Sequence, residues 1–96
     1  METIRLFHNY KIAETTSFQK EIKKVGSLNI YSKIKNVVYP QLKKNPYFGS
    51  NIKKLKGEFD GAYRFRIGDY RLFYKIDKEK VMIFILSLKP RKDSYN

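Results

Sequence analysis

Apolar positions along this chain change period once, and the change separates a helical half from a sheet half. Phe18, Ile22 and Val25 are spaced by four and three residues, and Leu28, Tyr31, Ile34, Val38 and Leu42 by three, three, four and four, so each series lies on one face of a helix. Thr15, Thr16 and Ser17 offer capping hydroxyls to the first helix, with Gln19 three residues after Thr16 as in a capping box, and Gly26 ends it. Pro40 falls inside the second series. A proline there withholds one backbone donor and crowds the preceding turn, which predicts a kink or a restart near Val38 to Pro40. Asn45, Pro46 and Gly49 close the helical region, and ahead of it Asn9 to Glu14 alternates weakly, as a short first strand would.

In the second half Tyr63, Phe65 and Ile67 alternate with Arg64 and Arg66. After Gly68-Asp69, a two-residue hairpin turn, Tyr70, Leu72, Tyr74 and Ile76 alternate with Arg71, Phe73 and Lys75. Asp77 to Lys80 makes a second polar turn, and Val81 to Leu88, β-branched, aromatic and uncharged, reads as a central strand. The expected fold is α+β: an N-terminal strand, a two-helix hairpin, then a three-stranded antiparallel meander. The first strand completes a small twisted sheet at one edge, and the helices pack on one face. Ninety-six residues leave room for one domain, spanning 1–96.

Composition narrows the chemistry. Without cysteine there is no disulfide scaffold, cysteine-ligated zinc or thiol nucleophile, and the single histidine, His8, cannot make a histidine metal site, so no metal and no cofactor are expected. Met1 to Asn9 carries Glu2 and Arg5 and has no apolar core of a signal peptide, and no uncharged run is long enough to span a bilayer; a soluble cytoplasmic chain is expected. Twenty-one Lys and Arg against nine Asp and Glu give a net charge of +12, a field that favours a polyanion. The basic excess occurs in both halves and is not confined to a tail.

Alternation converts that charge into a face. If the tyrosines, Phe65, Ile67 and Leu72 turn towards the helices, Arg64, Arg66, Arg71 and Lys75 share the opposite side of the sheet. Rows of cations on neighbouring strands repel, so such a face serves stability poorly and suits the binding of phosphates. Arg91 leaves the adjoining strand, and Lys53, Lys54 and Lys56 approach from the loop before the meander. Lys43, Lys44, Lys78 and Lys80 read as ordinary solvated cations.

Leu55-Lys56-Gly57, the run from Tyr63 through Gly68-Asp69-Tyr70-Arg71 to Tyr74, and Pro90-Arg91-Lys92-Asp93-Ser94-Tyr95 together resemble the RelE/ParE superfamily of bacterial toxins, the toxic halves of type II toxin-antitoxin pairs. The resemblance covers nearly the whole chain and is most specific in the second half. Where the family often has a His-Arg pair, this chain has Pro90-Arg91.

The RelE branch implies a metal-independent messenger endoribonuclease acting in the ribosomal A site. A ribose 2′-hydroxyl is driven onto the adjacent phosphate, leaving a 2′,3′-cyclic phosphate and a 5′-hydroxyl. Carried over by motif, Arg71 and Arg91 contact the scissile phosphate, Arg66 and Arg64 match a basic pair on the preceding strand, and Tyr95 matches a C-terminal tyrosine that stacks on or orients the substrate. Arg71, Arg91, Tyr95 and Arg66 are therefore the expected catalytic set. Lys53, Lys54, Lys56, Arg64, Lys75 and Lys92 are expected to bind RNA. Arginine does not give up its proton readily, which leaves Lys53, Lys54, Lys56, Glu58 and Tyr95 as alternative proton acceptors. Partners implied are a cognate antitoxin, messenger RNA on the ribosome and, through the antitoxin complex, operator DNA. The alternatives are a ParE-type inhibitor of DNA gyrase and a basic nucleic-acid-binding module without catalysis.

Overall fold

A computed structural model describes residues 9–25, 28–57 and 61–91. Its elements are β1 (Lys11–Glu14), α1 (Thr16–Val25), α2 (Leu28–Lys33), a π-helical turn (Ile34–Val38), α3 (Tyr39–Lys44), β2 (Ile52–Lys54), β3 (Ala62–Ile67), β4 (Tyr70–Asp77) and β5 (Met82–Pro90). The expected α+β class holds, with five strands in the order β1-β5-β4-β3-β2. The β3-β4-β5 meander is antiparallel, and β1 completes one edge by pairing parallel to β5. The strand at the other edge corrects the sequence reading. Ile52–Lys54, expected to be part of a loop, pairs antiparallel with β3, and three residues are too few to display a period of two.

Pro40 has the consequence its chemistry requires. The long helix is interrupted by the π-helical turn at Ile34–Val38, where the Tyr39 N–H reaches back to the Ile34 carbonyl, and α3 restarts with Pro40 in its first turn, where a missing donor costs nothing. The start of α1 differs from the capping box at Thr16. Thr15 is the cap: its Oγ1 accepts from the Phe18 N–H at 3.2 Å and donates to the Ile85 carbonyl at 2.8 Å, which binds the helix to β5. Gly26, the expected end of α1, lies outside the described residues.

One face of the sheet meets the helices. Phe18, Ile34, Val38 and Leu42 from the helical region pack with Phe65, Ile67, Leu72, Tyr74, Ile83, Ile85 and Leu88 in a single core. Tyr63 and Tyr70 lean on its margin, so the inward side of the alternation is as expected. Glu14, at the end of β1, accepts hydrogen bonds from Tyr31 Oη at 2.9 Å and Tyr39 Oη at 2.8 Å, joining the edge strand to the helices. Tyr74 Oη donates to the Pro46 carbonyl at 2.7 Å, satisfying a phenol that is otherwise fully enclosed.

These phenols give the fold an alkaline limit. Burial, then the hydrogen bond and charge of Glu14, hold Tyr39 and Tyr31 above the ordinary 10.0, and burial does the same for Tyr74. A phenol that holds its proton more tightly when folded contributes its full share below about pH 10 and loses it as pH rises through the folded-state value. Thermal melts of the wild type and Tyr39→Phe should therefore differ most near neutrality, with the gap narrowing above pH 10; a gap independent of pH would contradict this.

Candidate functional site

The side of the sheet away from the helices is a cationic face whose rows follow from strand register, since directly paired residues project to the same side. Near the β3-β4 turn, Arg66 pairs with Arg71 and Arg71 with Lys89, giving one row of three cations across three strands. The next row is Lys53, Arg64, Phe73 and Ser87, spanning β2 to β5. Beyond it Ala62, Lys75 and Phe84 form a third.

Arg91 is brought to the same end by the backbone. Its N–H donates to the Asp69 carbonyl at 2.7 Å, so the residue after β5 is fastened to the Gly68-Asp69 turn between β3 and β4. Gly68 has φ +52°, a left-handed conformation that glycine adopts without a Cβ penalty, and this allows the two-residue reversal that sets Arg66 opposite Arg71. Arg66 and Arg91 are exposed, whereas Arg71 is half-buried with its Nε enclosed. Side chains directly opposite on paired strands have Cβ atoms about 5 Å apart, so Arg66 and Arg71 form a concentrated positive site that a phosphate would neutralise.

The structure thus gathers Arg66, Arg71 and Arg91 at one end, with Arg64 and Lys53 in the adjoining row. Other predicted positions lie elsewhere. Lys75 is exposed on the same face but at the far end of β4, opposite Ala62. Lys54 pairs with Tyr63, whose ring is on the helix side, so its side chain leaves the sheet on the face opposite Arg64. Lys56 follows β2 beyond the Leu55 N–H, which donates to the Ala62 carbonyl at 2.9 Å, and is well removed from the Gly68 turn. Tyr95, Lys92, Glu58 and His8 lie outside the described residues.

Two neighbours of the cationic rows carry no clear sequence signal. Glu21, on α1, accepts the Leu88 N–H at 3.1 Å and forms an ion pair with Lys89, occupying the edge of β5 that β1 leaves uncovered. Nothing local in the helix pattern marks it, because its partners are 67 and 68 residues away. Phe73 is the other, an aromatic ring at an outward position in the alternation that is visible in the sequence but anomalous only once the face is known.

Among the described residues the molecule is a single α+β layer pair with a row of cations on the sheet face away from the helices. Residues 12–95 match the model of the ParE toxin of the type II toxin-antitoxin system, parDE, and the chain belongs to that toxin family, within the RelE/ParE superfamily. Toxin RelG of Mycobacterium tuberculosis is 29% identical over 86 residues, covering 90% of this chain and 95% of that protein. In the crystal structure of the RelBE2 toxin-antitoxin complex of the same organism, one chain superposes with a TM-score of 0.75 at 28% identity, over 86% of this chain and 99% of that one. The RelE-RelB complex of Pyrococcus horikoshii gives 0.72 at 28% identity, over 86% and 96%. A double arginine-to-alanine mutant of Escherichia coli toxin RelE in the free state gives 0.72 at 25%, over 91% and 88%. Among the described residues no helix is long and apolar enough to cross a membrane.

Proposed function

We propose that this type II toxin inhibits translation as a ribosome-dependent messenger endoribonuclease, working without a metal cofactor through its arginine cluster. The observation that carries the reading is the Arg66-Arg71 cross-strand pair with Arg91 fastened beside it by the Asp69 carbonyl. Attack of a ribose 2′-hydroxyl on the neighbouring phosphate crowds negative charge onto five-coordinate phosphorus, and preorganised cations stabilise that state more than the starting diester. Arg71 and Arg91 hold the scissile phosphate through planar, two-pronged donors, and Arg66 adds charge from the opposite strand. Arg64 and Lys53 continue the positive track along the substrate backbone.

The attacking hydroxyl must lose a proton. Of the three candidate lysines, Lys53 is the one in the open-face row with Arg64, so it is assigned this role in preference to Lys54 and Lys56; Tyr95 is assigned to orienting the substrate. The 2′-oxygen passes its proton to Lys53 and bonds to phosphorus as the bond from phosphorus to the 5′-oxygen breaks, and the 5′-oxygen takes a proton from solvent water, giving a 2′,3′-cyclic phosphate and a 5′-hydroxyl.

An antitoxin is the natural protein partner. Similar chains are found in toxin-antitoxin complexes, and +12 favours fast association with an acidic segment. Such a segment would cover the arginine face and compete with RNA; operator DNA would be reached through that complex.

Purified protein added to programmed ribosomes tests the proposal. Messenger fragments ending in 2′,3′-cyclic phosphate, absent with Arg91→Ala, are expected. Intact messenger together with loss of gyrase supercoiling would overturn it in favour of gyrase inhibition, the alternative that the ParE family match keeps in view.

A further inference from the structure

β5 has a strand on both sides along its first half and on one side along its second. β1 pairs with Met82 to Ile85, after which the chain turns into α1, and the helix packs against β5 in place of a strand. Two side chains supply part of what the missing strand would. The Thr15 hydroxyl, 2.8 Å from the Ile85 carbonyl and 3.2 Å from that of Leu86, holds the edge where β1 ends, and Glu21, further along α1, accepts the Leu88 N–H at 3.1 Å. Between these two clamps the pairing of β4 with β5 shifts register. Phe73 pairs with Ser87 and Tyr74 with Ile85, leaving Leu86 as an extra residue. Everything after the bulge inherits its register, which sets Leu88 opposite Leu72, Lys89 opposite Arg71 and Pro90 opposite Tyr70. Pro90 brings no donor of its own, which gives more weight to the contacts on either side of it: Glu21 on Leu88, and the Asp69 carbonyl on the Arg91 N–H at 2.7 Å.

Resting on the RNA-cleaving reading above, we infer that Glu21 is a positioning residue for the phosphate site: it fixes the register of β5 beyond the bulge and, through it, the place of Arg91 beside Arg66 and Arg71. A slip of one residue there would carry Arg91 about 3.4 Å along the sheet and turn its neighbours to the opposite face. Misplacement of a reacting group by about 1 Å already costs about a hundredfold in rate. The same carboxylate pairs with Lys89, the third cation of the row Arg66, Arg71, Lys89, and so leaves the phosphate to the arginines. Glu21 touches neither substrate nor reacting atoms and acts through the Leu88 N–H.

The test combines two measurements on the purified full chain. In single-turnover cleavage on programmed ribosomes, Glu21→Ala should slow the reaction by about ten- to a hundred-fold, and Glu21→Gln, which keeps an oxygen for the Leu88 N–H but not the charge, should recover most of the rate. Placed in an Arg91→Ala background, Glu21→Ala should cost little more, because both changes remove the same contact to phosphate. Full additivity of the two, or a Glu21→Gln as slow as Glu21→Ala, overturns the inference while leaving the cleavage reading in place. Amide hydrogen exchange decides the structural half without RNA. In Glu21→Ala the Leu88 and Arg91 amides should exchange about 2- to 12-fold faster, the weight of one hydrogen bond, while those of Leu72 and Ile83 keep their wild-type rates. An unchanged Arg91 amide, or a uniform rise across the sheet that would make Glu21 a general stabiliser, also overturns the inference. A wild type that leaves messenger intact defeats the cleavage reading and with it any role of Glu21 in cleavage, whatever the exchange rates show.

Discussion

If the proposed cleavage holds, Arg71→Ala is expected to lower its rate by about a hundred- to a thousand-fold, equivalent to about 2.7 to 4 kcal/mol of lost transition-state stabilisation. The size of the effect follows from position. Arg71 lies on β4, between β3 and β5, with Arg66 opposite on one side and Lys89 on the other, and its guanidinium is half-buried where a mobile surface cation would be solvated. Such a group is already oriented before the substrate arrives, so little reorganisation opposes the reaction. Lysine restores charge but not the planar pair of donors, and Arg71→Lys should recover only part of the loss. The neighbouring Leu72 and Tyr74 keep β4 seated in the core, so the variant should melt close to the wild type. Single-turnover cleavage on programmed ribosomes measures the rate, and a loss below about tenfold would remove Arg71 from the reacting phosphate.

Phe18→Ala is expected to have the largest effect on stability, about 3 to 5 kcal/mol. Phe18 is wholly buried, follows the Thr15 cap, and meets the Tyr31 ring at 6.3 Å between centroids, so one side chain joins α1, α2 and the sheet. A domain of this size has about 5 to 15 kcal/mol of stability in total, and the truncation leaves a cavity in a close-packed core. Thermal unfolding should show a midpoint lowered by well over 10 °C. A shift of a few degrees would mean that α1 contributes little to the cooperative unit.

The elements that announced themselves did so through steric or periodic necessity. Pro40 forces a break because it lacks a donor, and the π-helical turn lies directly before it. Gly68-Asp69 allows the tight reversal, and alternation on either side of it fixed which of Tyr63, Arg64, Phe65 and Arg66 face outward. From that alternation alone the arginine row was legible. What was hidden depends on partners distant in the chain. β2 owes its existence to an available edge on β3, since Ile52-Lys53-Lys54 has little strand character of its own. That pairing also separates Lys53 from Lys54, which a loop would have left together. Thr15 displaced Thr16 as the cap because its hydroxyl has a second partner in the Ile85 carbonyl, 70 residues away. The attachment of Arg91 to the Asp69 carbonyl likewise has no local signature, although it brings the third arginine to the site.

Glu21 shows how stability and site are linked. Its carboxylate closes the β5 edge at Leu88 and pairs with Lys89 just before Pro90 and Arg91, so α1 supports the strand that delivers Arg91. Lys89 is about half exposed, at 49%, and its ion pair is worth little on its own; the Leu88 N–H is the more consequential partner because an edge donor would otherwise be left to water or to another chain.

Cleavage of messenger RNA during translation is the activity proposed for the arginine face. Its most direct test is transcriptome-wide mapping of RNA 5′ ends after induced expression of the wild type and of Arg71→Ala in the same cells. New 5′-hydroxyl ends within codons of translated messages, present with the wild type and lost with Arg71→Ala, are the predicted result. Growth arrest without such ends, or the same ends in both strains, would contradict it.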